Sequence, residues 1–250
     1  VAVTCPGDPC ILAQKLVKRF GPKVAVDGLD LEIRPGEIYG LLGPNGTGKT
    51  TTLKMLCGLL RPDSGRVSLC GLDMEHEPLE AKRRLAFIPD NPYIYEALTG
   101  REFLSLVAGL YQVEPSLAAS RTAELAQRLE AESWLDQRAE GYSHGMRQKL
   151  VLASALLHKP DIFLIDEPLV GLDPAGILTV REIFRQEAAR GACLIVSTHT
   201  LSLAESVCGR IGIISQGRLA AQGTLEELRS LSRKKHTDLE SLYLEFTRPG

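Results

Sequence analysis

No apolar run in this 250-residue chain approaches the length of a membrane span, so any service to a membrane has to pass through a partner. The N-terminus lacks the charged-then-apolar layout of a signal peptide. A basic excess is missing too: a formal charge of -2 and a pI near 6.3 leave no footprint for general nucleic-acid binding. None of the six cysteines falls in a C-x-x-C pair, and most sit inside apolar runs. That removes zinc and dithiol chemistry and fits reduced thiols in a cytosolic protein. What remains is an ordinary globular composition, 44% hydrophobic and 24% charged, enough for one large α/β domain or two small ones.

The chain is organised around Gly43-Pro44-Asn45-Gly46-Thr47-Gly48-Lys49-Thr50, which meets the phosphate-loop pattern G-x-x-x-x-G-K-S/T at every specified position. The apolar run of residues 38–42 precedes it, and Leu53, Leu56, Cys57 and Leu60 follow at helical spacing. Strand, loop and helix are therefore expected in that order. Glycines let consecutive backbone N–H groups point at phosphates, and a helix starting near Gly48 adds its positive dipole end. The stretch reads as a nucleoside triphosphate site: Lys49 neutralises the β- and γ-phosphates, Thr50 ligates Mg²⁺, and Thr51 belongs to the same binding run.

Before the loop, residues 11–20 and 29–33 alternate in part and are punctuated by Gly21-Pro22 and Asp27-Gly28, predicting a small antiparallel β region. Phe20 sits at its first turn, where an aromatic either stacks on a nucleotide base or packs locally. After the loop, the turn signal of residues 61–65 leads into a strand over 66–69, and residues 85–88 read as another strand before a break at Pro89-Asp90-Asn91-Pro92. Thr99 and Glu102 form a capping box ahead of an apolar helix face that runs from Phe103 to Leu110. Further helices are expected over 116–134 and 143–157. A hairpin is expected from 211–214 and 218–221, then a polar helix over 226–231 and a solvated basic run at Arg233-Lys234-Lys235. Residues 1–9 read as a loose terminus.

Two uninterrupted apolar runs end in polar residues: Ile162-Phe163-Leu164-Ile165 in Asp166-Glu167, and Cys193-Leu194-Ile195-Val196 in Ser197-Thr198-His199. Such runs suit buried parallel strands, and ligands of open parallel sheets bind outside the carboxyl ends of the strands. Asp166, Glu167 and His199 are thus expected to converge on the P-loop. Asp166 would hold Mg²⁺ through water, Glu167 would orient or deprotonate an attacking water, and His199 would donate to the γ-phosphate. Without the P-loop, the acids would read as a loop after a core strand and His199 as a structural histidine. Ser143 caps a helix start able to receive an anion.

Taken together, these motifs recur in the order of the ATP-binding cassette (ABC) ATPases, which the chain resembles from about Ile11 to Thr247. The resemblance implies a single α/β domain with a P-loop NTPase (RecA-like) core, an antiparallel β region and an inserted helical subdomain. Residues 1–90 and 159–224 would form the core, 91–158 the helical subdomain and 225–250 a helical tail. It puts Phe20 at the adenine-stacking aromatic, residues 43–50 at the Walker A loop, Asp166-Glu167 at the Walker B aspartate and catalytic glutamate, Gly171-Leu172-Asp173 at the D-loop, and His199 at the switch histidine. Ser143-His144-Gly145-Met146 resembles the signature motif, whose Ser143 and Gly145 would bind the γ-phosphate of ATP held by the opposite subunit. Here S-G-G-Q is changed to S-H-G-M, similar to the branch that exports drugs, antibiotics, polysaccharides or ions. Asp90 stands where the family usually has a glutamine that touches Mg²⁺ and signals to the membrane subunit, so it joins the metal candidates. The implied protein uses ATP and Mg²⁺, works as a homodimer or pseudo-dimer through ATP, and energises a transmembrane permease at the cytoplasmic face without contacting nucleic acid. A non-transport cassette acting on nucleic acid or ribosomes is the alternative, although the usual coiled-coil insertion or second cassette is not visible. An ATP-binding module without turnover is disfavoured by intact Lys49, Glu167 and His199.

Overall fold

Hydrophobic patterning divides the strands between two sheets in the computed structural model, which describes residues 8–232 and 238–247. The basic run Arg233-Lys234-Lys235 and residues 1–7 of the expected loose terminus lie outside the described residues. Partly alternating segments form β1 (Ile11–Phe20), β2 (Lys23–Ile33), β4 (Ser64–Leu69) and the short β5 (Leu72–Asp73), an antiparallel sheet ordered β2-β1-β4-β5. Apolar runs form β3 (Ile38–Leu42), β6 (Leu85–Ile88), β7 (Ile162–Asp166) and β8 (Cys193–Thr198), which are buried almost throughout and run parallel. β9 (Arg210–Ser215) joins parallel to β3, and β10 (Arg218–Gly223) returns antiparallel to it as the expected hairpin. The order is β10-β9-β3-β8-β7-β6. The carboxyl ends of β3, β8, β7 and β6 consequently lie side by side along one edge of the sheet.

Helices cover both faces. α1 (Lys49–Leu56) is shorter than its apolar spacing predicts, because Gly58 adopts φ 67 and closes a Schellman cap: Gly58 N–H donates to Met55 O at 3.1 Å and Leu59 N–H to Lys54 O at 2.9 Å. Cys57 remains buried and Leu60 packs against the same core from beyond the helix. α2 (Pro78–Arg83) occupies the polar stretch ahead of β6 and has Pro78 in its first turn. α3 (Gly100–Leu110) carries the expected Thr99/Glu102 capping box. α4 (Pro115–Arg128) stops at Arg128 rather than Trp134, since Glu130 turns left-handed at φ 53 and its carbonyl accepts the Trp134 indole N–H at 3.1 Å. The turn expected over 61–65 is also shortened, as β4 already begins at Ser64. α5 (His144–Leu157) starts at the Ser143 cap, and α6 (Pro174–Ala189) at an Asp173 cap followed by Pro174. α7 (Leu201–Val207), α8 (Leu225–Leu231) and α9 (Leu239–Thr247) complete the described helices.

The parallel sheet is packed on both sides. Phe163, Ile165, Leu194 and Val196 face α5 and α6 in one core, while Leu41, Leu164 and Ile195 face α1 and the antiparallel sheet in another. Each such side chain contributes about 1.5–3 kcal/mol when fully buried, which pins the strand register and with it the strand ends. A third, smaller core joins α8 and α9 to β9 and β10. Among the described residues, no helix is long and apolar enough to cross a membrane.

Candidate nucleotide site

The loop after β3 is wedged between neighbouring strands, and its glycines have steric reasons. A Cβ on Gly43 would lie 2.5 Å from Ile214 O, and one on Gly48, at φ 110, would overlap Ala25 O. The loop is braced by Thr47 Oγ1 donating to Pro44 O at 2.8 Å and by Gly217 N–H donating to Thr47 O at 3.1 Å. Lys49, buried at the first position of α1, folds back to donate to Gly43 O at 2.6 Å and Pro44 O at 3.2 Å. Burial pushes the Lys49 ammonium down from its usual range, and the carboxylates of Glu167 and Asp166 oppose that shift.

The acids at the end of β7 are held in different ways. Asp166 pairs with Ser197 in the β7–β8 register, so its Oδ1 accepts from Ser197 Oγ at 2.7 Å while Oδ2 accepts from Thr50 Oγ1 at 2.6 Å. Glu167 leaves the strand in a left-handed conformation at φ 47, uncommon for a residue with a side chain and costing on the order of 1–3 kcal/mol. That turn swings the carboxylate across the end of β8. There Oε2 accepts from Thr198 Oγ1 at 3.0 Å, and Oε1 accepts from His199 N–H at 3.0 Å and lies 2.7 Å from His199 Nδ1.

Phe20, Asn45, Gly46, Gly48, Lys49, Thr50, Thr51, Asp90, Asp166 and Glu167 all line one cavity of about 300 Å³. Gly43, Pro44 and Thr47 build the loop without lining the cavity, and His199 joins it through Glu167. Phe20 is half-exposed at the tip of β1, with Lys18 Nζ 5.9 Å from its ring centre. Ser143 and Gly145 stand apart from this cavity. Ser143 Oγ accepts from Met146 N–H at 3.2 Å at the start of α5. A Cβ on Gly145 would come within 2.8 Å of Gly171 O, and Gly171 in turn packs against the His144 ring. The signature-like stretch and the D-loop-like stretch thus touch each other rather than the P-loop. A larger cavity of about 1020 Å³ lies at the opposite end of the sheet, where Arg210 pairs with Glu37 at 2.7 Å; it contains none of the predicted residues. Size does not select the site here; converging chemistry does.

Sequence reasoning left Ser197 and Thr198 without roles, although each anchors a site carboxylate. Their signal was available: hydroxyl residues ending an otherwise apolar buried strand. Lys23 and Ala25 also line the cavity and were not singled out.

The oxygen set around Thr50 and Asp166, with Asp90 facing the same space, offers hard donors. Among the described residues no three His, Cys, Asp or Glu side chains are grouped to hold a metal by themselves. The hydroxyl and carboxylate oxygens of Thr50 and Asp166 fit Mg²⁺, which takes one or two protein oxygens and completes its octahedron with water and phosphate.

The family model described as ABC transporter matches residues 26–170, spanning the P-loop, the strand-end acids and the helices between them. This chain belongs to the ABC transporter family. It is 40% identical over 215 residues to an uncharacterized ABC transporter ATP-binding protein of Nostoc sp., covering 85% of this chain and 64% of that protein. It is 39% identical over 210 residues to the Nod factor export ATP-binding protein I of Burkholderia pseudomallei, covering 84% of this chain and 69% of that protein. The chain therefore spans roughly two thirds of the length of these ABC relatives. A solved structure of the ATP-binding subunit of an ABC transporter superposes with a TM-score of 0.91 at 33% identity, covering 96% of this chain and 100% of that one. The expected α/β P-loop NTPase fold is the observed one.

Proposed function

We propose that this chain is the ATP-binding and ATP-hydrolysing subunit of an export-type ABC transporter. One observation carries the reading: the Glu167 carboxylate, fixed by Thr198 and His199, faces the same cavity as Lys49 and Thr50. In this reading Phe20 stacks on adenine, the loop from Gly43 to Thr51 cradles the phosphates, and Lys49 neutralises the β- and γ-phosphates. Thr50, Asp166 and Asp90 are the residues that would hold Mg²⁺, which supplies charge neutralisation at the phosphates when bound. Glu167 accepts a proton from the attacking water, and its left-handed backbone aims the carboxylate into the cavity. His199, its Nδ1–H donating to Glu167, presents its other ring nitrogen to the γ-phosphate, to which it donates as the imidazolium.

Ser143 and Gly145 lie outside this cavity, at a helix start whose free N–H groups suit an anion. Two copies packed head to tail would give them a use, each copy presenting Ser143 to the nucleotide of the other. The subunit would be a homodimer or pseudo-dimer closed by ATP. Residues 91–158 act as the helical subdomain on the α/β core and meet a transmembrane permease at the cytoplasmic face of the membrane. The relative named for Nod factor export favours an exported cargo over action on nucleic acid or ribosomes. The test is light scattering in a Glu167→Gln background, where ATP should drive dimers that Ser143→Arg abolishes while monomeric nucleotide binding survives. Dimers that persist in the double variant would refute the composite site, and absence of phosphate release by the wild type would refute the enzyme.

A further inference from the structure

We infer that Lys23 is a further nucleotide-binding residue, a cation that holds the α-phosphate of a nucleoside phosphate between Phe20 and the P-loop. This rests on the nucleotide reading of the cavity given above. Lys23 opens β2 and is the direct antiparallel partner of Phe20 across the Gly21-Pro22 turn. Opposed residues of such a pair project from the same face with Cβ atoms ~4.5–5.5 Å apart, so a ring stacked on Phe20 lies beside the Lys23 stem. Two residues on, the β1–β2 register shifts between the Arg19–Val24 and Lys18–Val26 pairs, which leaves Ala25 at a bulge. Ala25 is where β2 meets the loop, because its carbonyl occupies the space a Gly48 side chain would need. Lys23 therefore stands two residues along β2, at most about 7 Å, from the residue that abuts the loop glycine capping α1. Phe20, Lys23, Ala25 and Gly48 line one cavity.

Apart from Asp90, which also lines the space, the charges deeper in that cavity are already divided. Lys49 is drawn to the carbonyls of Gly43 and Pro44, Asp166 is held by Thr50 and Ser197, and Glu167 by Thr198 and His199. The Lys23 side chain is exposed and makes no hydrogen bond or ion pair with another described residue. An ammonium is donor-only, matching phosphate oxygens at any of its three protons. Lys49 at the deep end and Lys23 at the base end would then bracket the triphosphate, and the two cations would read different phosphates.

That division gives the test. Affinities of wild type, Lys23→Met, Lys23→Arg and Lys49→Ala are measured by calorimetry for ATP and ADP, and by ligand-observed NMR for AMP and adenosine. Lys23→Met should weaken ATP, ADP and AMP alike by about tenfold and leave adenosine unchanged. Lys23→Arg should restore binding, while Lys49→Ala should weaken ATP and ADP but spare AMP. Unchanged AMP and ATP affinity in Lys23→Met, with Lys49→Ala behaving as stated, would overturn the role of Lys23 alone. An equal loss of adenosine would overturn the phosphate contact in favour of a base contact. Failure of the wild type to bind ATP would overturn the nucleotide reading itself.

Discussion

Glu167 Oε1 lies 2.7 Å from His199 Nδ1, joining the residue that follows β7 to the one that follows β8. The same oxygen accepts the His199 backbone N–H at 3.0 Å, so imidazole and main chain both hold the carboxylate. Glu167→Gln keeps the shape and most of these hydrogen bonds but cannot take a proton from water. ATP hydrolysis should fall by ~10²–10⁴-fold with ATP affinity preserved, as read by phosphate release and nucleotide titration. His199→Ala should cost roughly a hundredfold, since one γ-phosphate donor is lost and the base remains. Undiminished turnover in Glu167→Gln would show that another group activates the water.

Lys49 is buried against the loop carbonyls, so its removal leaves Gly43 O and Pro44 O without their donor as well as the phosphates without their cation. Lys49→Ala should weaken ATP by one to two orders of magnitude, estimated from a charge-assisted hydrogen bond worth about 1.5–3 kcal/mol. Phe20→Ala should cost ~1–3 kcal/mol of nucleotide affinity if the half-exposed ring carries the base. Calorimetric titration of the two variants decides both, and an unaltered Kd in Phe20→Ala would return that ring to local packing.

Asp90 follows β6 by two residues and lines the nucleotide cavity. Its position between the core sheet and the helices that follow suits coupling to a membrane partner. Asp90→Ala should then reduce transport, measured in vesicles with the permease, more than basal ATPase. Equal losses of both would assign it a direct metal or catalytic role instead.

His158 caps α5, stacks on Tyr111 with ring centres 3.6 Å apart, and sits 3.3 Å from Leu85 O. Burial pushes its imidazole down to about 4 from the usual 6.5, with the Arg121 charge acting in the same direction. The neutral form is thus the folded form. The stabilisation is complete above pH 6.5 and is lost as pH falls toward 4, because the unfolded chain binds the proton first. This group alone should remove up to about 3 kcal/mol across that window. Urea unfolding of wild type and His158→Gln at pH 7 and pH 4.5 should show a flatter pH dependence in the variant. Parallel slopes would mean that His158 is protonated in the native state.

Local chemistry made much of this protein legible from its residues. A phosphate cradle needs glycines, a lysine and a hydroxyl at fixed spacing within one turn, so residues 43–50 declare themselves. The buried runs before Asp166 and Ser197 announce β7 and β8 because parallel strands covered on both faces have no polar side to show. Thr99 and Ser143 mark helix starts through hydrogen bonds spanning only three residues. α6 was equally announced by Asp173-Pro174 and by Val180, Ile183 and Phe184 on one face, although that signal went unused. Other features exist only through long-range packing. The ends of α1 and α4 depend on Gly58 and Glu130 turning left-handed within a packed core, which apolar periodicity does not report. Which hydroxyl holds which carboxylate follows from the β7–β8 register, a relation between strands about thirty residues apart. Lys23 reaches the cavity because β1 and β2 fold over the P-loop, and Ser143 stays outside it because α5 begins against Gly171. Sequence names the groups whose chemistry is carried by their immediate neighbours; tertiary structure decides which of them meet, since strand register and helix packing are set by the burial of side chains far apart in the chain.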